Sequence, residues 1–190
     1  EKELIKKVVE SGAKRGVAVV MNPKTGEVLS LAVQPGFNPN VFWKHTPSSW
    51  RNRAITDYFE PGSTFKVFLA ASALEEGIVS QNDIFFCENG SYNIGKETIH
   101  DTHPHGWLNL RDVVKLSSNI GAAKIGEKLG KKRLYKYIKK FGFGEKTGID
   151  LPGETSGLVR SPNRWSKVAV DTISFGQGIS ASAIQLITGL

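Results

Sequence analysis

Glu60-Pro61-Gly62-Ser63-Thr64-Phe65-Lys66, continuing into Val67-Phe68-Leu69-Ala70-Ala71-Ser72-Ala73-Leu74, decides how the chain is read. Pro and Gly close an irregular segment, and a helix-forming run begins at the serine. The spacing predicts a helix over 63–76, stopped by Gly77, with Ser63 in its first turn. Lys66 then falls on the same face, its Cβ about 5–6 Å from that of Ser63. A serine hydroxyl is a weak nucleophile until a base takes its proton. A lysine amine serves as that base only when burial or a nearby cation keeps it partly neutral. Apolar Phe65, Val67 and Phe68 supply such surroundings. The helix start adds free N–H groups and positive potential where an oxyanion forms. The stretch reads as a serine activated for acyl transfer, with a plain helix-capping serine as the bland alternative.

The chain has 190 residues, about one domain, enough to bury roughly 70% of its unfolded surface. A hydrophobic fraction of 39% and a charged fraction of 23% describe an ordinary globular protein. No apolar run approaches the roughly 18 residues of a membrane span. Glu1-Lys2-Glu3-Leu4-Ile5-Lys6-Lys7 lacks the apolar core of a signal peptide, so the start reads as the interior of a longer or trimmed chain. Net charge is +7, with basic residues bunched at Lys131-Lys132-Arg133, Lys136 and Lys139-Lys140. Such bunching marks either an anionic partner or the solvated face of a surface helix. Leu134, Tyr135, Ile138 and Phe141 at helical spacing favour the second, and nucleic acid is set aside. One cysteine, Cys87, excludes an intrachain disulfide and reads as a small core residue.

Residues 1–10 read as an amphipathic helix stopped by Gly12, and 15–21 with 27–33 as a hairpin turned by 22–26. Residues 34–60 read as one long surface loop, of a length that is commonly functional. Short strands fill 78–106, and helices are expected from Asn109 or Leu110 to Leu116, over 120–129, over 131–140 and from Ser180 or Ser182 onward. Strands and helices without βαβ alternation indicate an α+β fold with an antiparallel sheet.

Tripeptide matches carry little by themselves. Ser-x-x-Lys occurs at Ser11/Lys14 and Ser63/Lys66, but Gly12 breaks the first. Ser-x-Asn occurs at Ser91/Asn93, Ser117/Asn119 and Ser161/Asn163; the first and last lie in turn-forming sequence, whereas Ser117-Ser118-Asn119 joins two helices. There Ser117 can donate and accept a proton, and Asn119 offers an amide. Lys-Thr-Gly occurs at Lys24-Thr25-Gly26, a hairpin tip, and at Lys146-Thr147-Gly148, a Gly-rich loop; both read as decoys. His100, Asp101, His103 and His105 suggest a metal site, but neighbours on one loop rarely converge tetrahedrally, so a structural loop is preferred and no metal is assigned. Trp43, Trp50, Trp107 and Trp165 could line a groove; partly buried packing is the simpler reading.

Paired with Ser-x-Asn, the Ser-x-x-Lys motif resembles the signature of penicillin-binding proteins and class A β-lactamases. Asn52-Arg53-Ala54-Ile55 ahead of Glu60-Pro61-Gly62-Ser63, then Asp101-Thr102-His103-Pro104-His105-Gly106, Leu116-Ser117-Ser118-Asn119-Ile120-Gly121 and Phe141-Gly142-Phe143-Gly144 extend the likeness. Gly148-Ile149-Asp150-Leu151-Pro152-Gly153-Glu154 and Ser174-Phe175-Gly176-Gln177-Gly178-Ile179 with Gln185-Leu186 complete it. Over almost its whole length the chain resembles the transpeptidase domain of class B penicillin-binding proteins. Glu-Pro-Gly and Ser-Ser-Asn are more similar to the septal (cell-division or sporulation) branch than to the elongation branch.

The resemblance implies a penicilloyl-serine transferase (β-lactamase/transpeptidase-like) fold, with residues 1–190 forming a helical subdomain and an N-terminal sheet hairpin. It implies that Ser63 attacks the carbonyl between two terminal D-alanines of a stem peptide, or a β-lactam. Lys66 is then the base, Ser117 the proton relay, and Asn119 with Thr64 the substrate-binding residues. No cofactor is implied. The implied partners are peptidoglycan stem peptides, β-lactams and divisome membrane proteins. The implied location is the outer side of the bacterial cytoplasmic membrane, with membrane contact only through a segment outside this chain. The family's third motif is expected several tens of residues beyond Gln177-Gly178. The chain is therefore expected to be a partial domain without its C-terminal strands, weak or inactive alone, since losing one oxyanion donor costs about 3–4 kcal/mol. Two rivals remain: a class D β-lactamase or β-lactam sensor, whose valine Asn119 replaces, and a non-catalytic interaction module.

Overall fold

The computed structural model describes residues 1–190. In chain order they form α1 (Lys2–Glu10), β1 (Gly16–Met21), β2 (Val28–Gln34), α2 (Arg53–Thr56), α3 (Lys66–Glu75), β3 (Ile84–Phe86), β4 (Ser91–Ile94) and β5 (Glu97–His100). Then come β6 (Trp107–Asn109), α4 (Leu110–Lys115), α5 (Asn119–Leu129), α6 (Lys131–Lys140), α7 (Ala169–Ser174) and α8 (Ala183–Gly189). All three sheets are two-stranded and antiparallel, pairing β1 with β2, β3 with β6 and β4 with β5. The expected α+β class holds. No helix is long and apolar enough to cross a membrane.

The chain divides into two compact units. The first comprises Glu1–Phe59, Glu145–Gly157 and Ala181–Leu190. Its hairpin runs in register from Gly16↔Gln34 to Val20↔Ser30 and slips before Met21↔Val28. Alternation sends Val17, Val19, Met21, Leu31 and Val33 toward a core of Ala54, Ile55 and Ile184, and leaves Val20 and Leu29 exposed. Gly16 admits α1: a Cβ there would strike Val8 and Leu4. The segment 34–60, expected to be loop, holds 3₁₀ turns at Pro39–Lys44 and Pro47–Ser49 and the helix α2. Asn52 caps α2 by accepting from Ala54 N–H at 3.2 Å, and Ala54 and Ile55 are fully buried. A four-residue helix is too short to show periodicity, so its cap and apolar pair were the only signal. Helix α8 starts with a Ser182–Gln185 capping box. The Gln185 amide then donates to Glu145 O at 2.6 Å and Ser156 O at 2.9 Å.

The second unit comprises Glu60–Gly144 and Leu158–Ser180. Here α3 packs against α4, α5 and α6. Phe65, Phe68 and Phe143 are buried together, Phe143 lying 5.6 Å and 5.0 Å from the first two by ring centroids. The structure departs from several expectations. Residues 63–65 belong to a 3₁₀ turn, Gly62–Phe65, and the α-helix starts only at Lys66. Helix α7, six residues long, was not anticipated; it packs on α5 where Gly126 leaves room for the Ser174 hydroxyl. On α6, Leu134 and Ile138 are buried as expected, but Tyr137 is buried with them, whereas Tyr135 and Phe141 are only half-buried. Among the tryptophans, Trp43 and Trp107 are mostly exposed rather than partly buried. Ser91 and Asn93 lie on strand β4, not in a turn.

Candidate active site

Ser63 sits exposed at the start of the 3₁₀ turn, and Lys66 follows it as the first residue of α3. Gly62 holds φ +56 and donates its N–H to Gly176 O at 3.1 Å. Gly176 (φ +80) must itself be glycine, since a Cβ would run into the Gly62 backbone. Gly178 N–H donates to Glu60 Oε1 at 2.8 Å. The 174–179 stretch therefore braces the Glu-Pro-Gly lead that presents the serine.

The Lys66 side chain is 2% exposed. Its Nζ lies 3.1 Å from Ser63 Oγ, 3.0 Å from Ser117 Oγ, 2.6 Å from Ser117 O and 2.8 Å from Asn119 Oδ1. The sequence-predicted quartet Ser63, Lys66, Ser117 and Asn119 thus meets around one nitrogen. Burial pulls the Lys66 pKa down to about 8, against the opposing pull of the Asp101 charge. Of the apolar residues expected to desolvate it, Phe65 and Phe68 are buried, whereas Val67 faces outward at 46% exposure.

Ser117 adopts φ +58, a left-handed conformation that costs a non-glycine residue about 1–2 kcal/mol. The bend turns its carbonyl and hydroxyl toward the amine. Ser118 is the N-cap of α5, accepting from Gly121 N–H at 2.9 Å. Asp101 fixes this junction. Its Oδ2 accepts from Ser118 Oγ at 2.6 Å, and its Oδ1 from the N–H groups of Asn119 at 2.5 Å and Ile120 at 3.1 Å. A carboxylate at a helix N-terminus is also favoured by the dipole. Asn119 Nδ2 donates to His100 O at 2.9 Å, so the amide is held at both ends. Sequence reasoning gave Asp101 no role in the site. The one hint was an acidic residue in a block shared with the family, ahead of a capped helix.

Thr64 Oγ1 donates to Pro61 O at 2.7 Å, so its hydroxyl can only accept from a ligand. A cleft of about 360 Å³ adjoins Asn119, walled by β5, Thr172, Phe175 and Gln177. No group of three or more His, Cys, Asp or Glu side chains is arranged to hold a metal ion. Of the decoys, Thr147 donates its N–H and hydroxyl to Glu154 Oε1 at 2.7 Å and 2.6 Å, which locks its loop. Lys24-Thr25-Gly26 caps the hairpin tip.

A family model described as the penicillin-binding protein transpeptidase domain matches residues 16–190. The "Probable peptidoglycan D,D-transpeptidase PenA" of Neisseria flavescens is 40% identical over 97% of the chain and 46% of its own length. "Stage V sporulation protein D" of Bacillus subtilis is 40% identical over 92% of the chain and 27% of its length. "Peptidoglycan D,D-transpeptidase FtsI" of Escherichia coli K12 is 37% identical over 97% of the chain and 31% of its length. The chain spans less than half the length of each. Among solved structures, the transpeptidase domain of Burkholderia pseudomallei penicillin-binding protein 3 superposes with a TM-score of 0.86 at 33% identity, covering 97% of this chain and 51% of that one.

Proposed function

Because the chain belongs to the penicillin-binding protein transpeptidase family, we propose that it carries the acyl-transfer site of a peptidoglycan D,D-transpeptidase, with Ser63 as nucleophile. One observation carries this reading: a buried amine, its pKa near 8, lies within hydrogen-bond reach of two serine hydroxyls and two carbonyl oxygens. Carbonyl oxygens only accept, so Ser117 O and Asn119 Oδ1 claim two N–H groups. A neutral amine has two, and its lone pair is then left for a serine proton. The ammonium has a third N–H in that place.

In acylation the lone pair takes the Ser63 proton as Oγ bonds to the carbonyl between the two terminal D-alanines. The proton passes through Ser117 Oγ to the leaving nitrogen, and the C–N bond breaks. An acceptor amine reverses the sequence to form the cross-link. Asn119 spends Oδ1 on Lys66 and one N–H on His100 O, which leaves one N–H for a substrate carbonyl. Thr64 accepts from the substrate. Proton transfer by a positioned base contributes about 10²–10⁴ in rate. The relatives named for peptidoglycan transpeptidation and sporulation support placement in septal wall synthesis. Divisome membrane proteins are then partners, and the site works on the outer face of the cytoplasmic membrane.

Fluorescent penicillin tests the reading. The protein carrying this chain labels covalently, Ser63→Ala does not, and the acyl-enzyme outlasts minutes. Labelling that survives Ser63→Ala rejects the nucleophile, and hydrolysis within seconds indicates a β-lactamase instead.

A further inference from the structure

In the first unit, three guanidinium groups converge on one carboxylate, outside the acyl-transfer site. Asp57 Oδ1 accepts from Arg51 at 2.6 Å and from Thr56 Oγ1 at 3.1 Å. Its Oδ2 accepts from Arg53 at 2.8 Å and lies 3.7 Å from Arg15. Burial, the largest influence, raises the Asp57 pKa, yet hydrogen bonds from Arg53 and Thr56 and the arginine charges outweigh it and hold the carboxyl below its ordinary value. Both oxygens are therefore fully engaged.

Three positive charges meet one negative, which leaves a surplus of two. The flanking carboxylates are engaged elsewhere: Glu10 pairs with Lys6 and Lys7, and Glu60 accepts from Gly178 N–H, while residues 28–56 contain no Asp or Glu. The surplus faces a cleft of about 340 Å³ whose other lining groups include the hydroxyl side chains Ser48, Thr56 and Tyr58. Arg53, only 8% exposed, is braced by Ser48 O at 2.9 Å, whereas Arg15 and Arg51 are 61% and 52% exposed. A guanidinium has five N–H donors, and these bonds use few of them. A buried, oriented arginine flanked by two exposed ones and by hydroxyls matches the fork geometry and charge of a phosphate ester better than a second single-charged carboxylate.

We propose that Arg15, Arg51 and Arg53 form a binding site for a phosphate group, carried either by a soluble phosphate ester or by a lipid headgroup. The test is calorimetric titration of inorganic phosphate into the protein carrying this chain, at fixed ionic strength. Arg15→Ala/Arg51→Ala serves as the control; both side chains are exposed and Arg53 still pairs Asp57, so an unchanged melting temperature is expected. Millimolar or tighter binding, weakened at least tenfold in the double variant and less in Arg51→Gln alone, is the expected result. No binding, equal affinity in the double variant, or acetate bound as well as phosphate overturns the proposal. Phosphatidylglycerol vesicles separate the sources. Retention lost in the double variant supports a lipid headgroup, and phosphate binding without retention supports a soluble ester.

Discussion

Two buried ionisable side chains in the helical unit show how desolvation is used in opposite senses. Burial takes Lys66 down to about 8, where a neutral amine is accessible. Burial takes Asp171, 3% exposed, up to about 6, with the Glu127 carboxylate as the next cause. Asp171 Oδ1 has no hydrogen-bond partner, and Glu127 is itself engaged by Tyr92 O–H at 3.0 Å. The native pKa of Asp171 lies above its unfolded value, so ionised Asp171 opposes folding. That penalty is full above about pH 6 and is relieved as pH falls toward the unfolded value of 3.8. Asp171→Asn is therefore expected to stabilise the protein by about 2 kcal/mol at neutral pH, with the gain shrinking in acid. Melting temperatures across that range check it; a loss of stability at neutral pH contradicts it. Ser63, Lys66, Ser117 and Asn119 were legible because helical spacing and a junction between helices are local features. Asp101 was not, because its partners lie some 17 to 19 residues away and only the folded chain brings them together.

At the scale of elements, the site depends on two junctions. The first is the start of α5, where Asp101 ties down Ser118, Asn119 and Ile120. Charge-assisted hydrogen bonds of this kind are worth about 1.5–3 kcal/mol each. Asp101→Asn is expected to cut β-lactam acylation at least tenfold by loosening Asn119. It should also move the rising limb of the pH–rate profile to lower pH, because the Asp101 charge raises the Lys66 pKa. A role in folding alone would lower the rate without moving the limb. The second junction is the contact of Gly176 with Gly62. Gly176→Ala forces a Cβ into backbone at positive φ, and is expected to lower the unfolding free energy by at least about 2 kcal/mol and to slow acylation. Denaturant unfolding together with the acylation rate tests both parts. Helix α2 escaped the sequence because four residues are too few to establish a 3.6-residue period, and α7 because its six residues start without the side-chain cap that marks the equally short α4. The hairpin and α3 to α6 were legible because strand alternation, Asn109 and Ser118 caps, and stopping glycines all agree.

At the scale of the whole molecule, the charge of +7 gave little guide to function, and its clustered basic residues sit largely on the outer face of α6. The family assignment rests instead on motifs spread along the chain, each with a distinct structural job. Asn52 caps α2, Asp101 and Ser118 set α5, Glu154 locks the 147–154 loop, Gly176 and Gly178 brace the lead into the Gly62–Phe65 turn, and Gln185 anchors α8. Lys66 is proposed to act as a neutral base on Ser63. The pH dependence of the β-lactam acylation rate, from about pH 6 to about pH 10, tests it most directly. With Lys66 as that base, the rate climbs through an apparent pKa near 8 and then levels off. A rate independent of pH over that range would contradict it.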